Sequence, residues 1–331
     1  MALNQEKWYP ICEEVMWANN DFYMFSRDDT SVGAVFANKI HVPNAGAFTN
    51  PVHVDNMTWP LTAYQRTDID NTYDAHTFST DPEFVNLVEV YEFNYPKIVS
   101  IVTQMTNALN DMVGQYAIFN WVYGLPMSSI LQSTGVARNV VFGWQSGTRN
   151  SYQYTDFVAG MAMLELQNVP RKDRAILVSA AGYSDLMNLG KYQYAFIELG
   201  KLIQSGQLNG ETASPSLIGK FLGADVYLRG NFGVCFNNQS ATGSTYASGV
   251  SEFIDTGTTA ASASDFCLIW QKSKVCQWRG TKNNSGIQIF ERLADPFYNS
   301  DIMSAVIRHG SARVRANNDN YGVIQLVEAI A

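Results

Sequence analysis

The sequence predicts an α+β protein: an amino-terminal stretch without a core of its own, one very long helix, an α/β middle and two closing strands. Three observations predict this. A single stretch carries helical periodicity for about eight turns. Short apolar runs downstream alternate with amphipathic segments. The first 80 residues are rich in turn residues and poor in clustered apolar ones.

Composition sets the outer bounds. The chain has 331 residues, 46% apolar and only 16% charged, against about 25% charged in ordinary proteins. A disordered chain needs high charge and little to bury, so that class is excluded. With 22 basic and 30 acidic residues the net charge is −8. A protein that grips phosphates shows a basic excess or stripe, so sequence-directed nucleic-acid binding is a poor fit. No apolar run approaches the roughly 18 residues that span a bilayer. Met1 to Pro10 lacks the apolar centre of a signal peptide, so folding in a cytoplasm is expected. Cys12, Cys235, Cys267 and Cys276 form no C-x-x-C pair. They read as reduced, mostly buried thiols rather than a zinc set. The 7 Trp, 17 Tyr and 18 Phe are a high aromatic load beside so little charge. Aromatic enrichment with charge depletion is the composition of interface cores.

The elements follow in order. Met1 to Gly33 is acidic and aromatic, with Trp8, Trp17 and Phe22 but no sustained period; it reads as an arm. Val35–Val42 is a strand candidate, and Thr67–Phe78 alternates so that Ile69, Tyr73 and Ala75 share one side. Between them lies a turn-rich excursion carrying Phe48, Val54, Met57, Trp59 and Tyr64. The pair makes an extended hairpin, at best marginally stable alone, that needs a partner. Glu83–Phe93 reads equally as helix or strand. Ile98, Val102, Met105, Leu109, Met112 and Tyr116 then mark the long helix, from Tyr95 to Tyr123, with Pro96 at its start and Gly124-Leu-Pro126 at its end. Thr155–Gln167 is a capped amphipathic helix, Ala175–Ser179 a buried strand and Ala180–Asn188 a further helix. Leu217–Leu228 ends in a strand, and Phe236–Ser264 has the Ser, Thr, Gly and Asn content of an exposed loop. Ser304–Val314 and Tyr321–Ala329 close the chain as strands.

Catalytic motifs fail on context. Asp68-Ile-Asp70-Asn-Thr72 matches the D-x-D-x-T of aspartate-nucleophile phosphoryl transfer, but that chemistry needs a buried apolar strand before the first Asp. Tyr64-Gln-Arg-Thr67 is polar, so a solvated strand face is the better reading. Gly143-Trp-Gln-Ser146-Gly147 places its serine one position late for a nucleophile elbow. No phosphate-binding glycine loop occurs. His41 and His76 are placed to face each other across the hairpin, with no carboxylate cluster to complete a metal site. No catalytic, cofactor or metal residue is assigned, and no enzyme is expected.

Residue order and spacing then carry a resemblance. Thr80-Asp-Pro-Glu-Phe-Val85 leads through Glu89-Val-Tyr-Glu-Phe-Asn-Tyr95 into the long helix. Val169 to Met187 forms a strand–helix passage, Ile218 to Tyr227 a glycine-punctuated strand entry, and Asp295-Pro-Phe to Val314 the closing strands. This order resembles the major capsid protein of tailed double-stranded DNA bacteriophages, a fold shared with encapsulin shells and herpesvirus capsid floors.

The resemblance implies an amino-terminal arm at 1–33 and an extended loop at 34–80. It implies a peripheral domain at 81–150 and 286–331, holding the long spine helix, and an axial domain at 151–285. It implies a structural role: many copies closing as pentamers and hexamers into an icosahedral virion capsid around packaged DNA, assembled in the host cytoplasm. Scaffolding, portal and decoration proteins are the further partners, with no membrane and no cofactor. An acidic chain suits this, since a basic wall would bind the genome. An encapsulin-like compartment is the alternative, and a soluble hydrolase using Asp68 and Asp70 the third reading. Trp8, Trp17, Phe22, Phe48, Met57, Trp59 and Tyr64 are the expected inter-subunit contacts. The arm is expected to be removable without unfolding the body. Some members of this family join subunits by an isopeptide bond from a loop lysine. Here no lysine lies between His41 and Thr80, and Lys39 sits at the hairpin base. Noncovalent closure is expected.

Overall fold

The structure, a computed structural model, describes residues 20–30, 39–46, 59, 63–86, 97–123, 125–142, 145–188, 217–230, 234–236, 239–240, 243–244, 251–252, 263–280, 287–295, 300–315 and 322–331. The first strands are β1 (Arg27–Asp28), β2 (Lys39–Asn44), β3 (Ile69–Asp74), β4 (His76–Ser79) and β5 (Glu83–Asn86). Helix α1 (Lys97–Val122) follows, then β6 (Ile130–Gln132), β7 (Ala137–Asn139) and β8 (Thr148–Asn150). Next come α2 (Tyr154–Leu166), β9 (Arg174–Val178), α3 (Ala180–Asn188), β10 (Leu217–Phe221) and β11 (Ala224–Leu228). Short pieces β12 (Val234–Phe236), β13 (Gln239–Ser240), β14 (Gly243–Ser244), β15 (Ser251–Glu252) and β16 (Ala263–Ser264) lead to β17 (Phe266–Gln271). The chain closes with β18 (Val275–Arg279), β19 (Ile287–Asp295), β20 (Ser300–Arg313) and β21 (Val323–Val327).

One six-stranded sheet, in the order β10-β11-β9-β17-β21-β6, forms the centre of the middle region. Its inner strands are buried on both faces, which is why they read as apolar runs, broken in β21 by Gln325. Side-chain alternation divides the two faces. Ala175, Leu177, Leu268, Trp270, Val323 and Val327 pack towards α1. Ile176, Val178, Ile269, Ile324 and Leu326 pack towards α2 and its Phe157, Met161 and Leu164. Helix α2 stops where expected: Asn168 takes a left-handed φ of 54°, and the Val169 and Asn168 N–H groups bond the Leu164 and Glu165 carbonyls at 3.0 and 2.8 Å. This is the cap a helix makes when asparagine stands just past its end.

The second six-stranded sheet is organised by β20, a strand of 14 residues. On one edge it pairs with β18 and then β19; on the other with β4 and β5. Helix α1, 26 residues long, crosses both sheets. Its first half buries Ile101, Met105, Leu109 and Val113 on Val85, Ala305 and Ile307 of this sheet. Its last turns bury Ala117, Ile118, Trp121 and Val122 on the central sheet. The buried face is thus rotated from the expected stripe, and Met112 stands 44% exposed. The cause is that apolar residues such as Val99 and Met112 flank the buried stripe, so spacing alone does not say which edge of the apolar side faces the core.

Several expectations are corrected. Phe22, expected between subunits, is fully buried in the chain's own core, edge-on to Trp121 at 6.0 Å. The arm is tied down at Asn20–Thr30: β1 pairs with β18, and Trp270 Nε1 donates to the Phe25 carbonyl. Its removal as far as residue 33 therefore cuts into the body. The hairpin forms, with Lys39 opposite Asp74 and Asn44 opposite Ile69. Its base nevertheless has an intramolecular core. Ile40, Val42, Tyr73 and Ala75 pack on Cys276, Trp278 and Val314, and Asn44 and Asn71 donate to carbonyls at the end of β20. Gly310 permits this approach, since a Cβ there would lie 3.0 Å from the Asp74 carbonyl oxygen.

The strand expected at Thr67–Phe78 breaks at Ala75. The chain leaves β3 for β4, which places His41 opposite Thr72 and His76 opposite His309, so the two histidines do not face each other. Of the ambiguous 83–93 segment, Glu83–Asn86 is strand. Leu217–Leu228 is a hairpin rather than one strand entry, turning at Leu222 and Gly223 with φ of 51° and 78°; both positive angles suit a tight hairpin turn. In Phe236–Ser264, expected as loop, β12 pairs with β15 and β16, and β13 with β14. The sheets also cross the expected domain limits. β21 joins the central sheet and β18 the β20 sheet, because the two closing strands diverge rather than pair.

Candidate assembly surfaces and a buried acid cluster

Exposed apolar side chains are spread over the described residues, Val136 and Leu166 among the most exposed, and two groups of them bear on assembly. One is the hairpin excursion, where Trp59 is 75% and Tyr64 58% exposed. The other is the β20 sheet. Its odd-numbered positions, Met303, Ala305 and Ile307, are buried, and Ala305 and Ile307 pack on α1. The opposite face is covered at one end by the hairpin base. At its other end Phe84 of β5 lies across from Ile302, and Phe290 of β19 lies across from Ser304. Phe84 and Phe290 are 65% and 54% exposed. Large apolar groups gathered on one uncovered end of a sheet mark a contact surface more than scattered ones do. Sequence reasoning missed both. Their alternation is legible, but which face α1 covers is not.

Of the expected contact residues, Trp59 and Tyr64 are exposed and Phe22 is internal. Trp8, Trp17, Phe48 and Met57 lie outside the described residues. Asp68 is exposed and paired with Arg66 at 2.6 Å, and Asp70 with His41 at 2.5 Å. Neither carboxylate ends a buried strand, so the phosphoryl-transfer geometry is not formed.

Charge is also buried, which no motif announced. Arg229, with no exposed side-chain surface, reaches Asp111 of α1 at 2.5 Å and ties the long helix to the central sheet. Desolvation lowers the Arg229 pKa, and Asp111 opposes that shift. His309 is fully buried, with neither ring nitrogen bonded among the described residues. Burial, with Arg279 adding to it, pushes its pKa down to about 3, so it is neutral. Beneath α3, Arg138 bonds Asp185 at 3.0 Å and meets Glu328 at 2.6 Å. Gln145 donates to Glu328 at 2.7 Å, and Ser179 bonds Asp265. Among the described residues no group of three His, Cys, Asp or Glu is arranged to hold a metal, and no helix is long and apolar enough to cross a membrane. Cys267 and Cys276 are free and buried, as expected.

No protein-family model matches the chain, and no curated protein matches it. Solved structures do. The two sheets bridged by one helix, with the β2–β3 hairpin, match bacteriophage capsid structures in fold. The capsid of Ralstonia phage GP4 matches with a TM-score of 0.67 at 9% identity, covering 99% of this chain and 96% of that one. The capsid of cyanophage P-SCSP1u matches at 0.61 and 15% identity, covering 99% and 94%. The acid-stable capsid of Helicobacter pylori bacteriophage KHP30 matches at 0.60 and 12%, covering 99% and 96%. The chain shares the fold of these capsid structures, which the matches cover over 99% of its length.

Proposed function

We propose that this chain is the major capsid protein of a tailed double-stranded DNA bacteriophage. Many copies close as pentamers and hexamers into an icosahedral shell around the genome, and the chain acts as a structural subunit rather than an enzyme. The observation that carries the reading is the likeness to phage capsids over 99% of the chain. The capsid neighbours favour a virion over an encapsulin-like compartment. The surfaces support it: Trp59, Tyr64, Phe84 and Phe290 expose apolar area that a second copy would cover, at about 25 cal/mol per Å². Repeated contacts of this kind, in obligate interfaces of roughly 2,000–5,000 Å², hold the shell. Scaffolding, portal and decoration proteins are its further partners, and the virion is its location.

The test is the mass of the purified protein by light scattering. Capsomers or shells are expected; a monomer of 36.8 kDa that persists at high concentration contradicts the proposal.

A further inference from the structure

Side chains from five separate segments converge under α3. Arg138 comes from β7, Gln145 and Arg149 from the turn into β8 and its strand, and Ser179 and Asp185 from α3 and its cap. Asp265 precedes β17, and Glu328 follows β21. Asp185, Asp265, Glu328 and Arg149 are 6%, 1%, 0% and 1% exposed. Water is therefore not available to solvate their charges.

The contacts divide unevenly. Arg138 serves Asp185 through both carboxylate oxygens and also meets Glu328. Asp185 further accepts the Tyr152 N–H at 2.9 Å, and Glu328 accepts from Gln145. Arg149 donates to the Ser146 and Thr148 carbonyls, at 3.0 Å each, and adds positive potential at Glu328. Asp265 has no cation in contact among the described residues. Its Oδ2 meets the Ser179 hydroxyl, and its Oδ1 has no hydrogen-bond partner among the described residues. Among the described residues the other ionisable groups that act on it are Glu328, Cys267 and Tyr152, while the Phe266 N–H and the positive charge of Arg138 oppose the rise in its pKa. Three carboxyls thus face two guanidiniums. If all three ionise, the interior holds an unbalanced negative charge, and Asp265 is the carboxyl left without a cation.

We propose that Asp265 is a neutral, protonated acid at neutral pH and serves as a pH-sensitive latch that holds α3 and the segment after β21 to the central sheet, loosening as pH rises. The hydroxyl of Ser179 is the hinge of this latch. It accepts the Gly182 N–H at 3.1 Å, capping α3, while bonded to Asp265. The Asp265 carbonyl accepts the Glu328 N–H at 2.8 Å, so the same residue also fixes the last segment. Desolvation, and then the neighbouring Glu328, push the Asp265 pKa well above the usual carboxylate range; burial also raises Glu328. The sign follows from linkage. The native chain keeps a proton that the unfolded chain has already released above pH 3.8. The stabilisation is complete below that pH and is lost as pH rises towards the native pKa.

Hydrogen exchange on the full chain between pH 6 and 9, corrected for intrinsic rates, tests this. Protection in 179–188 and 263–271 should fall by up to tenfold per pH unit. Asp265→Asn, which keeps the shape and cannot ionise, should flatten that slope. Infrared spectra at pH 7 should show a protonated carboxyl band that Asp265→Asn removes and Glu328→Gln retains. Protection that is constant or rises with pH overturns the latch. A band lost in Glu328→Gln but kept in Asp265→Asn puts the proton on the wrong residue and also overturns it. If Asp265→Asn does not fold, the wild-type slope and band decide: absence of either overturns the proposal.

Discussion

Replacing Phe22 and Trp59 separately by alanine distinguishes contacts made within a subunit from contacts made between subunits. Phe22 has no exposed surface and lies edge-on to Tyr23 and Trp121, with ring centroids 6.1 and 6.0 Å away. Deleting a buried phenylalanine ring costs about 3–5 kcal/mol. Each edge-to-face partner adds about 0.5–1.5 kcal/mol beyond area, so the upper half of the range is expected. Measured against a total stability of about 5–15 kcal/mol, that loss is visible in a single subunit. Trp59 is 75% exposed, so Trp59→Ala should leave the subunit within about 0.5 kcal/mol of wild type. The assay is guanidinium denaturation of dissociated subunits, followed by sedimentation of reassembled material. Phe22→Ala should lower the denaturation midpoint; Trp59→Ala should keep the midpoint and reduce the sedimenting fraction. A Phe22→Ala loss under about 1 kcal/mol, with only assembly impaired, would refute the placement of the arm.

Three further outcomes are expected. His309 stays neutral down to a pKa of about 3 while the unfolded chain protonates near 6.5, so stability falls as pH drops below 6.5. Between pH 7.5 and 5.5 the cost is about 1.4 kcal/mol, and His309→Phe should abolish it relative to wild type in paired denaturation curves. Asp111→Ala strands the buried Arg229 and should cost about 3–5 kcal/mol, read as a lowered denaturation midpoint; an unchanged midpoint would show that the pair does not anchor α1. Boiled, reduced particles should run as one band near 36.8 kDa on denaturing electrophoresis; a surviving ladder would point to Lys39 and covalent closure.

Burial on two faces makes Ala175–Val178 legible as an unbroken apolar run, whereas Phe266–Trp270, equally apolar, escapes the sequence reading. Helix α1 is legible in its length but not in its orientation. Val99 and Met112 are as apolar as the residues that face the core, yet both are exposed. Phe22 was misplaced because the arm docks through a 3-10 turn, Asp21–Met24, and a two-residue strand, which leave no period to read. The acid cluster was invisible for another reason. Arg138, Asp185, Asp265 and Glu328 lie far apart in the chain, and only the sheet order β9-β17-β21 gathers them. Among the expected contacts, exposure singled out Trp59 and Tyr64, which lie between two recognisable hairpin strands.

The most direct test of the account is an electron cryomicroscopy map of the assembled protein. It should show a closed icosahedral shell of pentamers and hexamers, with Phe22 inside its own subunit and Trp59, Tyr64, Phe84 and Phe290 covered by neighbouring copies. Particles without five- and six-fold capsomers, or a shell in which those four side chains remain exposed to solvent, would contradict it.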